Sequence, residues 1–199
     1  MGRHTGHSPG RIRIAEDDDL ERMADIEVRA HTVFAVDVVE QLPASKNDPE
    51  SLRDAAVVFV AERPAVGFAR VDVVDGLAHL EQLSVLPEHT RRGIGGELLD
   101  AACRWATDHG FQAITLIAFA DVPWNAPFYA ARGFREVDEL TPGLAELRDW
   151  ERDLGLDGVG RRVVMRRDLG VPRPAPDAGS PVVADFAPAP RSPAHLSLP

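Results

Sequence analysis

The sequence predicts an α/β protein of the α+β type, built on a mixed, mostly antiparallel central sheet of six to seven strands. Three observations carry this. Between Val57 and Leu86, short apolar runs alternate with tight turn signals, the pattern of adjacent antiparallel strands. From Leu80 to Ala120 a strand, a glycine-rich turn, a long amphipathic segment and a second strand follow one another. Such a crossover leaves its two strands parallel. Further segments with apolar residues at helical spacing lie before and after this core.

The elements follow in order. Arg11 to Ile14 alternates charged and apolar residues, as an edge strand does. Asp17-Asp18-Asp19 offers an N-cap, with Glu21 three residues after Asp18 completing a capping box. The helix that follows carries Leu20, Met23 and Ala30 on one face. His31 to Gln41 is apolar but irregular and reads as a broken helix pair, with a loop from Pro43 to Pro49. Val57–Ala61 and Ala65–Val73 are strands around a turn at Glu62-Arg63-Pro64, and Asp75-Gly76 is a hairpin signal leading into the Leu80 strand. A helix beginning near Gly93 presents Ile94, Leu98, Ala102 and Trp105 on one face. It ends at His109-Gly110, where glycine suits a left-handed C-cap. Ala113 to Ala120 is continuously apolar, as a strand buried on both faces is. Asn125 caps a short helix that carries Phe128 and Tyr129 and stops at Gly133. Phe134–Val137 is a strand, Pro142–Leu154 a helix and Arg162–Arg167 the last strand.

Composition bounds the function. A chain of 199 residues accommodates one domain with a full core, and no apolar run is long enough to span a bilayer. The first ten residues lack the apolar region of a secretory signal, and Cys103 is the only cysteine. Both features fit a reducing compartment, so a cytoplasmic protein without a membrane partner is expected. The net charge of −10 argues against duplex nucleic acid, which needs a basic footprint, and agrees with a cationic amine. Past Gly170 prolines recur and periodicity stops. The chain therefore divides into a flexible arm over 1–10, a domain over 11–169 and a Pro/Ala-rich disordered tail over 170–199. No metal-ligand spacing is seen.

The chemistry concentrates in Leu80 to Glu97. Strand, loop (Glu88, His89, Thr90, Arg91, Arg92) and Gly93-Ile94-Gly95-Gly96 together make an anion-binding device. The turn N–H groups are free, the missing side chains admit a ligand to the backbone, and the helix dipole favours negative charge. Arg91 and Arg92 add guanidinium groups suited to phosphate oxygens. A Walker loop would need Gly-Lys-Ser/Thr, and the dinucleotide fingerprint fails at Leu98.

Val85-Leu86-Pro87 through Gly96 resembles the pyrophosphate loop of the GNAT superfamily, the acyl-CoA-dependent N-acetyltransferases. That loop usually reads Gln/Arg-x-x-Gly-x-Gly/Ala, so Thr90 is a departure at its first position. Asn125-Ala126-Pro127-Phe128-Tyr129-Ala130-Ala131-Arg132-Gly133-Phe134 looks like the superfamily's Asn-x-x-x-Phe-Tyr-x-x-x-Gly-Phe segment. The resemblance covers roughly Arg11 to Leu169. It implies helices on both faces of the sheet, a splayed strand pair at the CoA site, and acetyl-CoA as cosubstrate with no metal. The leading reading of the acceptor is the primary amine of a small molecule.

Site residues follow from the same resemblance. Leu83, Ser84 and Val85 would offer backbone groups to the pantetheine arm, with Asn125 touching that arm or capping its helix. Thr90, Arg91, Arg92, Gly93, Ile94, Gly95 and Gly96 would hold the pyrophosphate. Tyr129 matches the tyrosine that protonates the departing thiolate. Glu81 stands near the strand position where many members carry a general base, acting directly or through ordered water. By strand alternation Glu81 shares a face with Leu83 and Val85, whereas Gln82 faces the other way and is structural. His79 is a second candidate base. His31 and Phe34 fall where the family lines its acceptor cleft, and Trp124 is placed to wall the same pocket.

Two other functions remain open: a CoA-binding module without turnover, which Thr90 favours, and an acetyltransferase acting on a protein lysine or N-terminus. The donor chain length and a homodimer are also undecided by sequence.

Overall fold

Seven strands form one sheet in the order β1-β2-β3-β4-β5-β7-β6 in the computed structural model, which describes residues 11–32 and 47–170. Chain order runs β1 (Ile12–Ile14), α1 (Asp17–Leu20), α2 (Met23–His31), α3 (Pro49–Arg53), β2 (Val57–Ala61), β3 (Gly67–Val74) and β4 (Leu77–Val85). A 3-10 turn (Pro87–His89) precedes α4 (Ile94–Asp108) and β5 (Ala113–Phe119). The chain continues through α5 (Ala126–Ala130), β6 (Arg135–Glu136), α6 (Pro142–Asp153), α7 (Leu156–Val159) and β7 (Arg162–Asp168). Every pairing is antiparallel except β4 with β5. The expected mixed sheet is therefore present, with β7 inserted between β5 and the two-residue β6.

Local chemistry explains the boundaries. Asp75 and Gly76 both have positive φ, the geometry a two-residue hairpin needs. Helix α4 begins after Gly93 (φ 85) and ends in a left-handed Gly110. The Phe111 N–H reaches the Ala106 carbonyl and the Gly110 N–H reaches Thr107, which satisfies two otherwise orphaned carbonyls. Ile94, Leu98, Leu99 and Ala102 of α4 are buried against the sheet. Each large side chain there contributes about 1.5–3 kcal/mol. On β3, Val74 points the other way and packs with Leu144 and Leu147 of α6. Arg70, on the same side as Val74, donates to Ser51 of α3 at 2.8 Å. Helices thus cover both faces, as the resemblance implied.

Two local expectations are corrected. The cap of α1 is Glu16, whose N–H donates to Asp19 at 2.9 Å, so the box of Asp18 with Glu21 does not form. Pro49 opens a helix instead of ending a loop, because the Asp48 carboxylate accepts from the Glu50 and Ser51 N–H groups and Pro fits the first turn. Of the predicted helix pair over 31–41, His31 is the last residue of α2 and everything past Thr32 lies outside the described residues, as do the arm over 1–10 and the tail beyond 170.

The irregularity that matters most is in β4. Arg70 pairs with Gln82, but Val71 pairs with Leu80, so Glu81 is an extra residue in the register of β4 against β3. A β-bulge of this kind shifts the alternation by one position and re-aims side chains. Glu81 accordingly lies beside His79, with Oε2 3.6 Å from Nε2, instead of sharing a face with Leu83 and Val85. Gln82 is opposite Arg70 on this same face and donates to Ser84 Oγ at 2.8 Å. Its expected separation from Glu81 is overturned.

Candidate active site

The parallel pairing of β4 with β5 stops at Leu80 and Leu116, while β5 stays paired with β7 through Phe119. From Glu81 to Val85 the β5-facing edge of β4 is therefore open, and a cleft of about 340 Å³ occupies the gap. This is the expected splayed pair. Unpaired strand N–H and C=O groups can take an extended ligand as an added strand would.

Ten of the predicted site residues line this one cleft. Glu81, Leu83, Ser84 and Val85 come from β4, Thr90 and Gly95 from the loop and α4. Trp124, Asn125 and Tyr129 come from the segment after β5, and His31 from α2. Arg91 and Arg92 sit exposed on the loop; Arg91 has φ 60 and Arg92 reaches His89 Nδ1 at 3.1 Å. Ile94 is only 1% exposed, so its side chain is core and only its backbone can meet a ligand. Gly96 faces Arg132 instead of open space. Phe34 lies outside the described residues. Asn125 occupies the N-cap of α5, but its side chain makes no capping bond; its carbonyl accepts from the Phe128 N–H at 2.9 Å. Thr90 uses its hydroxyl within the loop, donating to the Pro87 carbonyl at 2.8 Å.

The glycines are spaced for close approach. A Cβ on Gly95 would touch only Phe128 and Val85, at 3.8 and 3.9 Å. The backbone there would tolerate a side chain, which would then project between Val85 and Phe128 into the cleft.

Burial pushes the Tyr129 phenol well above its ordinary value, with Arg162 and Arg132 drawing it partly back. The ring is half-buried as a whole and packs edge-on against Phe128 and Phe134. Burial also lowers His31, opposed by the nearby Glu27 carboxylate, so His31 favours its neutral form.

The sequence profile described as "Acetyltransferase (GNAT) family" matches residues 20–134, more than half of the chain. The chain belongs to the GNAT family. This GNAT protein is 30% identical over 127 residues to the uncharacterized N-acetyltransferase YjcF of Bacillus subtilis, covering 62% of this chain and 83% of that one. It is 28% identical over 95 residues to an aminoglycoside N(6')-acetyltransferase type 1 of Salmonella typhimurium, covering 43% and 66%. The PaiA N-acetyltransferase of Thermoplasma acidophilum, solved with coenzyme A, superposes with a TM-score of 0.57 at 18% identity, over 79% of this chain and 97% of that one. That last likeness concerns the GNAT fold alone.

Sequence reasoning missed several residues of this cleft. Arg132 stacks 3.8 Å over the Phe128 ring, donates to the Phe128 carbonyl at 3.0 Å, and brings Nη2 within 2.9 Å of where a Gly96 Cβ would stand. It thus sets a third guanidinium over the first turn of α4. It lay in plain view inside the Asn125–Phe134 segment, but nothing local says which way it points. Glu27, Trp150, Glu151 and Arg162 also line the cleft. Glu151 pairs with Arg162 and with Arg148, which ties α6 to β7 along the cleft wall. No helix among the described residues is long and apolar enough to cross a membrane.

Proposed function

We propose that this GNAT enzyme transfers an acetyl group from acetyl-CoA to the primary amine of a small molecule by direct attack, in the cytoplasm, through the domain spanning 11–169. The observation that carries this reading is the open edge of β4, which runs from the glycine loop to the Glu81 bulge with Tyr129 on the same cleft. The residues fit the cosubstrate. Loop N–H groups, Arg91, Arg92 and Arg132 meet the pyrophosphate, and Leu83 to Val85 pair with the pantetheine amides. The amine nitrogen attacks the thioester carbonyl while Glu81, directly or through water, takes its proton. The carbon–sulfur bond breaks and Tyr129 donates a hydrogen bond or its proton to the leaving sulfur. Glu27, Glu81 and Glu151 give the cleft an acidic lining in which Arg162 is paired with Glu151, an environment that suits a cationic acceptor.

The test is thiol release from acetyl-CoA across a panel of small amines, with peptides carrying a lysine or free N-terminus beside them. Turnover with small amines supports the reading. Turnover with peptides alone would move the acceptor to protein, and CoA binding without release on any amine would leave a binding module.

Two substitutions check the phosphate end. Gly95→Val should keep the fold, since its neighbours are at van der Waals distance, yet weaken CoA binding well over tenfold by filling the approach to the loop backbone. Unchanged affinity in calorimetry would place the phosphate site elsewhere. Arg132→Ala should weaken CoA roughly tenfold by removing a charge-assisted donor. Dephospho-CoA should show the same loss, because the pyrophosphate and not the 3′-phosphate is the partner. A loss confined to intact CoA would reassign Arg132 to the 3′-phosphate.

A further inference from the structure

Where β4 and β5 last pair, His79 lies opposite Thr115. Both side chains are deeply buried, at 2% and 1% exposure. The Thr115 hydroxyl donates its single proton to the Ala78 carbonyl at 3.2 Å. A hydroxyl donating to Nδ1 instead would put the ring proton on Nε2; with the proton placed on the Ala78 side, the hydroxyl accepts at its 2.9 Å contact with His79 Nδ1, and Nδ1 carries a proton. In the neutral ring this leaves Nε2 with a lone pair, and Nε2 stands 3.6 Å from Glu81 Oε2, just beyond hydrogen-bond length. A lone pair turned toward a carboxylate is repelled by it; a proton held by either group turns the same approach into an attraction.

We propose that His79 is a positioning residue for Glu81: Thr115 fixes its tautomer so that Nε2 is the atom that exchanges a proton with the carboxylate. This rests on the reading of Glu81 as the base. The bulge is what makes the pairing possible, since it brings residues 79 and 81 to one face and turns the Glu81 carboxylate toward the ring. The proton taken from the acceptor amine sits first on the Glu81 carboxyl. It then passes to Nε2, which restores the carboxylate and leaves an imidazolium, and the imidazolium gives it up to water before the next turnover. A second cavity of about 40 Å³, lined by His79, Glu81, Glu151 and Arg162 among others, is large enough for a water and polar enough to hold it. The other charged groups around His79 are internally matched. Asp72, its register partner on β3, accepts from Arg70 at 3.1 Å, and Glu151 of α6 is tied to Arg162 of β7. The carboxylate that approaches Nε2 itself is that of Glu81.

The test combines the pH dependence of kcat/KM, measured with acetyl-CoA and the best amine of the panel, with imidazole 15N spectra of the intact chain. The spectra should show the His79 ring in the Nδ1–H form in both the parent and Glu81→Gln. On the acid side the exchanged proton rests on Nε2, leaving an imidazolium beside the carboxylate. His79→Gln removes that charge, so the acid limb of the profile should move up by about one pH unit. Thr115→Val keeps the shape but loses the acceptor; it should scramble the tautomer and move the limb in the same sense. Thr115→Ser should restore both. Thr115→Val also stands in for His79→Gln should that variant fail to fold. An unmoved limb in the variants that fold, or a parent ring in the Nε2–H form, overturns the proposal while leaving Glu81 as base. A Glu81→Gln enzyme as fast as the parent overturns both readings.

Discussion

Glu81→Gln should slow acetyl transfer at pH 7 by about 10²- to 10⁴-fold and recover most of that loss as the pH nears 10. An alkylamine has a pKa of about 10.4, so at neutral pH nearly all of it is the unreactive ammonium. The enzyme must remove that proton, and the amide of glutamine has the size of the carboxylate without its basicity. Near the amine's own pKa the nucleophile is already free, and the deficit should close. The bulge gives the expectation a structural cause. It takes Glu81 out of the regular register and directs it into the cleft on the side of His79. Acetyl-CoA affinity should be almost unchanged, because the glycine loop lies past Val85 at the other end of the open edge. A variant equally impaired at every pH would mean that Glu81 positions the acceptor. A variant as fast as the parent would sink the assignment, with His79 the next residue to test as the base.

The contrast between Glu81 and Tyr129 shows what a sequence can carry. Strands β2 to β5 were legible because alternation, the Asp75-Gly76 hairpin and the glycine stop after α4 are local properties, and all recur in the structure. The glycine loop was legible for the same reason, since the positive φ at Gly93 is a demand that glycine meets most readily. The bulge was not. It is a mismatch of length between β3 and β4, and no single residue type marks it, so strict alternation put Glu81 and Gln82 on opposite faces. The insertion of β7 between β5 and β6 depends on contacts distant in sequence and left no local trace. Arg132 could be seen but not aimed: its place over Gly96 follows from how α5 docks on α4, a tertiary fact. The Asp48-Pro49 start of α3 is a readable N-cap signal that the loop expected from Pro43 to Pro49 overlooks.

Tyr129→Phe should lower kcat by on the order of 10²-fold and leave acetyl-CoA affinity little changed. The substitution keeps the ring, its edge contacts with Phe128 and Phe134, and the core around them. What it removes is one O–H. Burial holds that phenol well above its ordinary pKa, so the proton stays on Tyr129 through the whole working range. A thiol of pKa about 8.5 is a weaker base than such a phenolate, and outright transfer to sulfur would run uphill. The hydroxyl is therefore best suited to donating a strong hydrogen bond to the developing thiolate. Arg162 and Arg132, which draw the phenol's pKa down, limit the cost if the proton does cross. This gives the experiment a second arm. The parent's pH profile should show no alkaline limb from Tyr129 below about pH 10, the ordinary value for tyrosine. A limb near pH 8 to 9 that vanishes in Tyr129→Phe would show a phenol titrating in the working range, and the role assigned to burial would be wrong. A kcat within a factor of a few of the parent would make Tyr129 a packing residue and let the thiolate leave unaided.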